Sequence, residues 1–193
     1  MGGLGMTRRL LLGVIGDAAV GEEDARYALA REVGERAVDA GFRILCGGLG
    51  GVMEAACRGA RQAERYAPGD TIGLLPGFDP NEANAWVDIP IATGLDHLRN
   101  GLVANADAVI AIGGGAGTLS EIAFAWMYKR PIVCLATEGW SGRLGDTSLD
   151  DRGDAERGPV LISVSSAEEA VRIAAARAAG ATRRHGGVRR RAG

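Results

Sequence analysis

The stretch IAIGGGAGTLSEIAFAW, from Ile110 to Trp126, starts as an apolar strand and ends as an apolar helix. Between them lie Gly113, Gly114, Gly115 and Gly117, then Thr118, Ser120 and Glu121. Glycine favours neither strand nor helix. A strand-to-helix turn this rich in it is built for close approach, either of the chain to itself or of a ligand to the backbone.

The same alternation runs outward in both directions. RLLLGVIG (Arg9 to Gly16) and FRILCGG (from Phe42) read as buried strands, as do TIGLLPG (from Thr71), RPIVCLAT (from Arg130) and PVLISVS (from Pro159). VDIPIAT, from Val87, reads as a shorter one. Helical patterns separate them. EEDARYALAREVGERAVDAG places Ala25, Leu29, Val33 and Ala37 on one face, with Gly41 as the cap beyond it. GVMEAACRGARQAERYA, GLDHLRNGLVANA and SAEEAVRIAAARAAG read as further helices, the last opened by a Ser166–Glu169 capping box. Near-continuous apolar strands separated by helices predict an α/β fold: one Rossmann-like, doubly wound domain whose mostly parallel sheet carries helices on both faces. The domain is expected over residues 9–180, after an N-terminal extension at 1–8 and before a basic, disordered tail at 181–193. The polar stretch from Glu138 to Gly158 reads as a surface loop.

Composition narrows the function. The 193 residues are 47% hydrophobic and 24% charged, a globular mixture, and the 31 glycines show no period that would indicate a fibrous chain. A net charge of −2 argues against nucleic acid or an anionic membrane as partner. No apolar run is long enough to span a bilayer. Cys46, Cys57 and Cys134 lie singly in apolar segments and read as buried free thiols of a cytoplasmic protein. His97 has no neighbours at metal-ligand spacing, so no metal site and no cofactor is expected.

In a doubly wound sheet, ligands lie beyond the carboxyl ends of the strands. Three strand exits are glycine-rich: Gly16 in GDAAVG, Gly47 to Gly51 in GGLGG, and Gly113 to Gly117. The last two run directly into helices, whose first N–H groups are unpaired and carry partial positive charge. Gly16, Gly47, Gly48, Gly50, Gly51, Gly114, Gly115 and Gly117, with the Thr118 hydroxyl, are therefore candidates to hold a phosphate. Glycine geometry alone is the competing account of each turn. Neither turn is a Walker A loop or a G-x-G-x-x-G fingerprint. Glu121 either completes a capping box with Thr118 or places its carboxylate at the rim of the anion site. Arg99, among Leu95, Leu98, Leu102 and Val103, either snorkels to solvent or binds phosphate.

GGGAGTLSE (Gly113 to Glu121) resembles the P-G-G-x-G-T-x-x-E signature of the LOG-type phosphoribohydrolases, which release the base from a nucleoside 5′-monophosphate. GGLGGVMEAA resembles that family's second glycine turn. The likeness spans Arg9 to about Ser165. Gly113 stands where the signature has proline, Ser120-Glu121 where it has Glu-Glu, and of the upstream M-x-x-R-K only Arg99 matches. These departures resemble the sister group that includes the molybdenum-cofactor carrier proteins. The resemblance implies that Arg99 and Glu121 form the catalytic pair, and that the glycine turns with Thr118 hold the 5′-phosphate. Asn84, Met53 and Asn100 are expected to contact substrate. It also implies a homodimer or larger homo-oligomer, with the helix EIAFAWMYK as a candidate contact. Two functions follow: hydrolysis of an N-glycosidic bond, or binding and carriage of a phosphorylated ligand such as a pterin cofactor. A nucleotide-sensing regulatory member is a third. The partner in each case is a nucleoside monophosphate or another phosphorylated small molecule.

Overall fold

A computed structural model describes residues 8–150 and 161–180. The expected extension at 1–8, apart from Arg8, and the expected tail at 181–193 fall outside these residues, as does the end of the 138–158 loop. Seven strands form one parallel sheet: β1 (Leu11–Gly16), β2 (Arg43–Cys46), β3 (Thr71–Leu75), β4 (Ile89–Ala92), β5 (Ala108–Ile112), β6 (Ile132–Leu135) and β7 (Leu161–Val164). Their spatial order is β4-β3-β2-β1-β5-β6-β7. The chain thus steps outward from β1 to β4, then returns to the other side of β1 with β5. That reversal makes the gap between β1 and β5 the topological switch point, where such sheets bind ligands.

Alternate residues of each central strand face opposite layers. Leu12, Val14, Ile44, Ile110 and Ile112 pack under helices α1 (Ala25–Asp39), α2 (Val52–Ala60) and α6 (Ala167–Gly180). Ile15, Leu45, Val109, Ala111 and Ile132 pack under α3 (Asn100–Ala104) and α4 (Ala116–Met127), with α5 (Trp140–Leu144) beside them. Both faces are covered, which explains why β5 reads as a continuous apolar run with all five residues buried. At the amino edge, the Arg9 guanidinium pairs with the fully buried Asp70 and donates to the Phe42 carbonyl.

Helix limits follow local chemistry. Asp24 caps α1 by accepting the Arg26 N–H at 2.8 Å. Beyond its end, Gly41 takes φ +94° while Phe42 N–H bonds back to Ala37 at 3.0 Å. Ser166 caps α6 through Glu169 N–H at 3.3 Å. Two helices are shorter than their sequence pattern predicts. The one after GGLGG stops at Ala60, followed by turns in which Gln62 and Ala63 N–H groups bond to Gly59 and Ala60. The segment before β5 breaks into a 3₁₀ turn over Asp96–Arg99 and the single-turn α3, with Asp96 at φ +49°. The loop expected from Glu138 contains the short helix α5.

Helices α1 and α2 approach closely because each presents a glycine to the other's backbone. A Cβ on Gly34 would strike the Ala56 carbonyl, and one on Gly59 the Arg31 carbonyl. Neither backbone can yield without moving its helix. Gly34→Ala should therefore lower stability by about 1–3 kcal/mol in urea denaturation. Gly21→Ala, where a Cβ meets nothing within 4 Å, should leave the midpoint nearly unchanged.

Candidate functional site

The two glycine turns belong to helices on opposite faces of the sheet, yet they meet at the switch point through Asp17. This residue leaves the end of β1. Its carbonyl accepts the Val52 N–H at the start of α2 at 2.9 Å. Its carboxylate Oδ2 accepts the Gly114 N–H before α4 at 2.9 Å. The Arg26 guanidinium braces that carboxylate at 2.6 Å and reaches Asp24 at 2.6 Å with another nitrogen. Hydrogen bonding from Arg26 holds the Asp24 carboxyl down at about 2.

Packing accounts for several of the glycines. At Gly16 a Cβ would strike the Ile112 carbonyl and lie 2.8 Å from the Val52 side chain. Gly51, at φ +65°, lies against the Asp17 carbonyl, and Gly114, at φ +95°, lies under the Thr118 side chain. A Cβ on Gly48 would touch Leu75 at 3.0 Å, and one on Gly50 the Ala18 carbonyl at 3.2 Å. Gly115 and Gly117 differ from these. A Cβ on either would meet nothing within 4 Å, and both are exposed. Gly115 is the N-cap of α4 and supplies no side chain to its first amides. The open part of the signature is therefore the first turn of α4.

Arg99 closes the site from the other side. It ends the 3₁₀ turn before α3, is 8% exposed, and lies directly against Gly47, whose missing side chain leaves room for its guanidinium. Its Nε and Nη1 are buried and have no hydrogen-bond partner among the described residues. Glu121, 7% exposed on α4, brings Oε1 to 3.9 Å from Arg99 Nη1. That separation leaves an ion pair without a hydrogen bond. Burial pushes the Glu121 carboxyl up to about 7, and the Arg99 charge opposes the rise. At neutral pH a substantial share of Glu121 is thus protonated, and the pair holds net positive charge. Contacts close a ring around the crevice: Asp17 to Gly114, Gly114 to Thr118, one helical turn to Glu121, then Arg99, Gly47 and the loop back to Gly51 at Asp17.

The three residues expected to touch substrate are placed differently. Asn84 donates to the carbonyls of Gly48 and Leu49 at 3.2 and 2.9 Å, holding the first glycine turn in place. Asn100 is buried and donates to Ser120 Oγ at 2.8 Å, while Ser120 bonds to the Gly117 carbonyl at 2.7 Å. Met53, in the first turn of α2, is buried in the core. His97 is 87% exposed beside Asp96.

Asp17, Arg26 and Ser141 are site residues that sequence reasoning passed over. Ser141 Oγ accepts the Gly113 N–H at 2.7 Å and donates to the Leu135 carbonyl at 2.7 Å, so α5 clamps the signature turn from behind. The signal available for Asp17 was its place: a lone acid directly after Gly16 at a strand exit. Ser141 sits in a stretch whose polarity reads as loop.

Comparison with known proteins agrees with this geometry. An uncharacterized protein of Archaeoglobus fulgidus is 42% identical over 125 residues, covering 64% of this chain and 78% of its own. The solved structure of the molybdenum cofactor binding protein from Rippkaea orientalis is 31% identical with a TM-score of 0.68, over 86% of this chain and 95% of that one. The Moco carrier protein from Chlamydomonas reinhardtii is 30% identical with a TM-score of 0.71, over 90% and 99% of the two chains. The sequence profile of the SLOG cluster4 family matches residues 9–171, through all seven strands and both glycine turns, and the chain belongs to that family.

Proposed function

We propose that the protein binds a phosphorylated small molecule in the switch-point crevice. The phosphoryl group lies on the amides of Gly115, Ala116 and Gly117 and is reached by Arg99. One observation carries this reading: a buried guanidinium with two unpartnered nitrogens. Leaving the donors of such a buried charge unmet costs up to several kcal/mol, so the fold keeps a cation where an anion can complete it. The amides at the head of α4 and the net positive Arg99–Glu121 pair point to the same charge. The names of the Rippkaea and Chlamydomonas proteins support binding or carriage of a cofactor as cargo.

A second reading is hydrolysis of the N-glycosidic bond of a nucleoside 5′-monophosphate. The observation favouring it is the Glu121 carboxyl near 7, since a group poised at that value can donate a proton to a leaving base or take one from water. Incubating the protein with a panel of monophosphates separates the two. Binding without release of free base supports carriage, and release of base with ribose 5-phosphate supports hydrolysis.

The protein is also expected to self-associate. Leu98, Leu102 and Met127 are exposed on the α3–α4 side, next to the stacked Phe124 and Tyr128 rings. Light scattering after size exclusion should give a mass of two chains or more, and a single-chain mass would end that assignment.

Arg99→Met keeps the volume and removes the donors. It should weaken phosphate-ester binding about 10–100-fold by calorimetry, the worth of one or two charged hydrogen bonds. Binding that survives unchanged would remove Arg99 from the site.

Glu121 also sets a pH dependence of folding. Its folded value lies above its unfolded one, so the folded chain holds the proton longer. Its contribution is fully present below pH 4.5 and is lost as pH rises to about 7. Wild type should lose roughly 1–3 kcal/mol relative to Glu121→Gln across that window, and the gap should stay constant above it. Parallel stability curves for the two proteins would contradict the assignment.

A further inference from the structure

We propose that Asp17 reads the hydroxyl groups next to the phosphate, so that the crevice takes phosphorylated sugars or polyols in preference to phosphate esters lacking hydroxyls. The proposal rests on the phosphate seat described above and adds a residue to it.

The crevice has two chemical sides. Around the expected phosphoryl group stand the donors, the first amides of α4 and the guanidinium of Arg99, with the Glu121 carboxyl beside that guanidinium. Beside them, on the β1 exit, stands an acceptor. Oδ2 of Asp17 is fully engaged by the Gly114 N–H and by Arg26. Its other oxygen, Oδ1, makes no hydrogen bond among the described residues, and the side chain is 27% exposed. The two residues that follow, Ala18 and Ala19, are small and exposed and leave the approach open.

A carboxylate next to an anion seat repels the anion unless it does something for the rest of the ligand. Arg26 offsets part of that repulsion and, held by Asp24 on its far side, fixes the carboxylate in place. What remains is an acceptor oxygen on a carboxylate that is itself tied to the amide just before the phosphate seat. The complementary molecule carries an anion and, next to it, O–H donors. A sugar phosphate has that pattern. Inorganic phosphate and simple alkyl phosphates carry no hydroxyl beyond the phosphoryl group.

Calorimetry at fixed pH and ionic strength with three probes tests this: inorganic phosphate, ribose 5-phosphate, and tetrahydrofurfuryl phosphate, which keeps the ring and loses the hydroxyls. Wild type should bind ribose 5-phosphate about tenfold more tightly than the tetrahydrofurfuryl ester, the scale of one charge-assisted hydrogen bond. Asp17→Asn turns the free acceptor into a donor and should cut that ratio at least about threefold, and Asp17→Ala should bring it to near one. Because Asp17 also holds the Gly114 amide, both variants should weaken binding of all three probes in step as far as the seat is disturbed, and the ratio of the two esters, in which that common loss cancels, is the readout. Equal affinity of wild type for the two esters overturns the proposal without any variant, and so does a ratio unchanged in Asp17→Asn. If wild type binds none of the three probes, the phosphate seat itself is wrong. If all bind through Arg99 with a ratio of one, only the role of Asp17 falls.

Discussion

Two helices that start on opposite faces of a sheet have no reason of their own to present their amides to one crevice, and here a single residue makes them do so. Asp17 spends its carbonyl on the first amide of α2 and its carboxylate on the amide before α4. Both bonds span strand exits that the sheet has already placed side by side, since β2 and β5 flank β1. The parallel sheet supplies the neighbourhood and Asp17 fixes the spacing within it. Arg26 keeps the carboxylate in place, and Ser141 secures the same turn from behind. The site is therefore braced between the strand exits and open at the first turn of α4. A helix end can serve an anion without reorganisation only if it is held in that way.

Against that frame the Arg99–Glu121 pair stands out as an uncompleted interaction. A buried ion pair contributes to stability when its geometry is good and its remaining donors are satisfied. Here the charges are 3.9 Å apart, and two guanidinium nitrogens have no partner. A well-packed apolar pair in the same volume would cost the fold less. Two other buried carboxylates are fully engaged: Asp70 takes Arg9, and Asp88 takes Arg61, the Tyr66 hydroxyl and two backbone amides. The contrast locates the exception at the same crevice that Asp17 holds open.

The sheet was legible because β5 and its neighbours carry unbroken apolar runs, and a parallel strand covered on both faces needs nothing else. Helix ends were legible where a cap announced them, as at Ser166 and Gly41. They were not legible where tertiary contact intervened: the pattern through Gln62 to Ala67 is helical in composition, yet the chain turns after Ala60. The segment before Arg99 likewise breaks into a 3₁₀ turn that sets the guanidinium against Gly47. Arg99 and Glu121 stood out by place, an arginine among leucines and an acid one turn into the helix, and were paired by resemblance to a motif; the structure supplies their separation and their burial. Asp17 was missed because its importance lies in two partners 35 and 97 positions away, and nothing in local pattern records such distances. Asn84 was expected at the ligand edge from its place after the third strand and Asn100 from its place beside Arg99; their side-chain amides bond to the carbonyls of the first glycine turn and to Ser120 of α4.

The glycine signature itself divides into two physical classes. Gly16, Gly51 and Gly114 are forced by contact: a β-carbon at each would collide with a carbonyl or with Thr118. A chain that never bound a ligand would still need them to bring β1, α2 and α4 this close. Gly115 and Gly117 face open space, where alanine would cost the fold little and would favour the helix. Packing gives no reason for glycine at these two positions. In the proposed phosphate seat this bare backbone would serve a ligand approaching from outside, and the amides it exposes, with Arg99 across the crevice, would fix the sign of that ligand's charge.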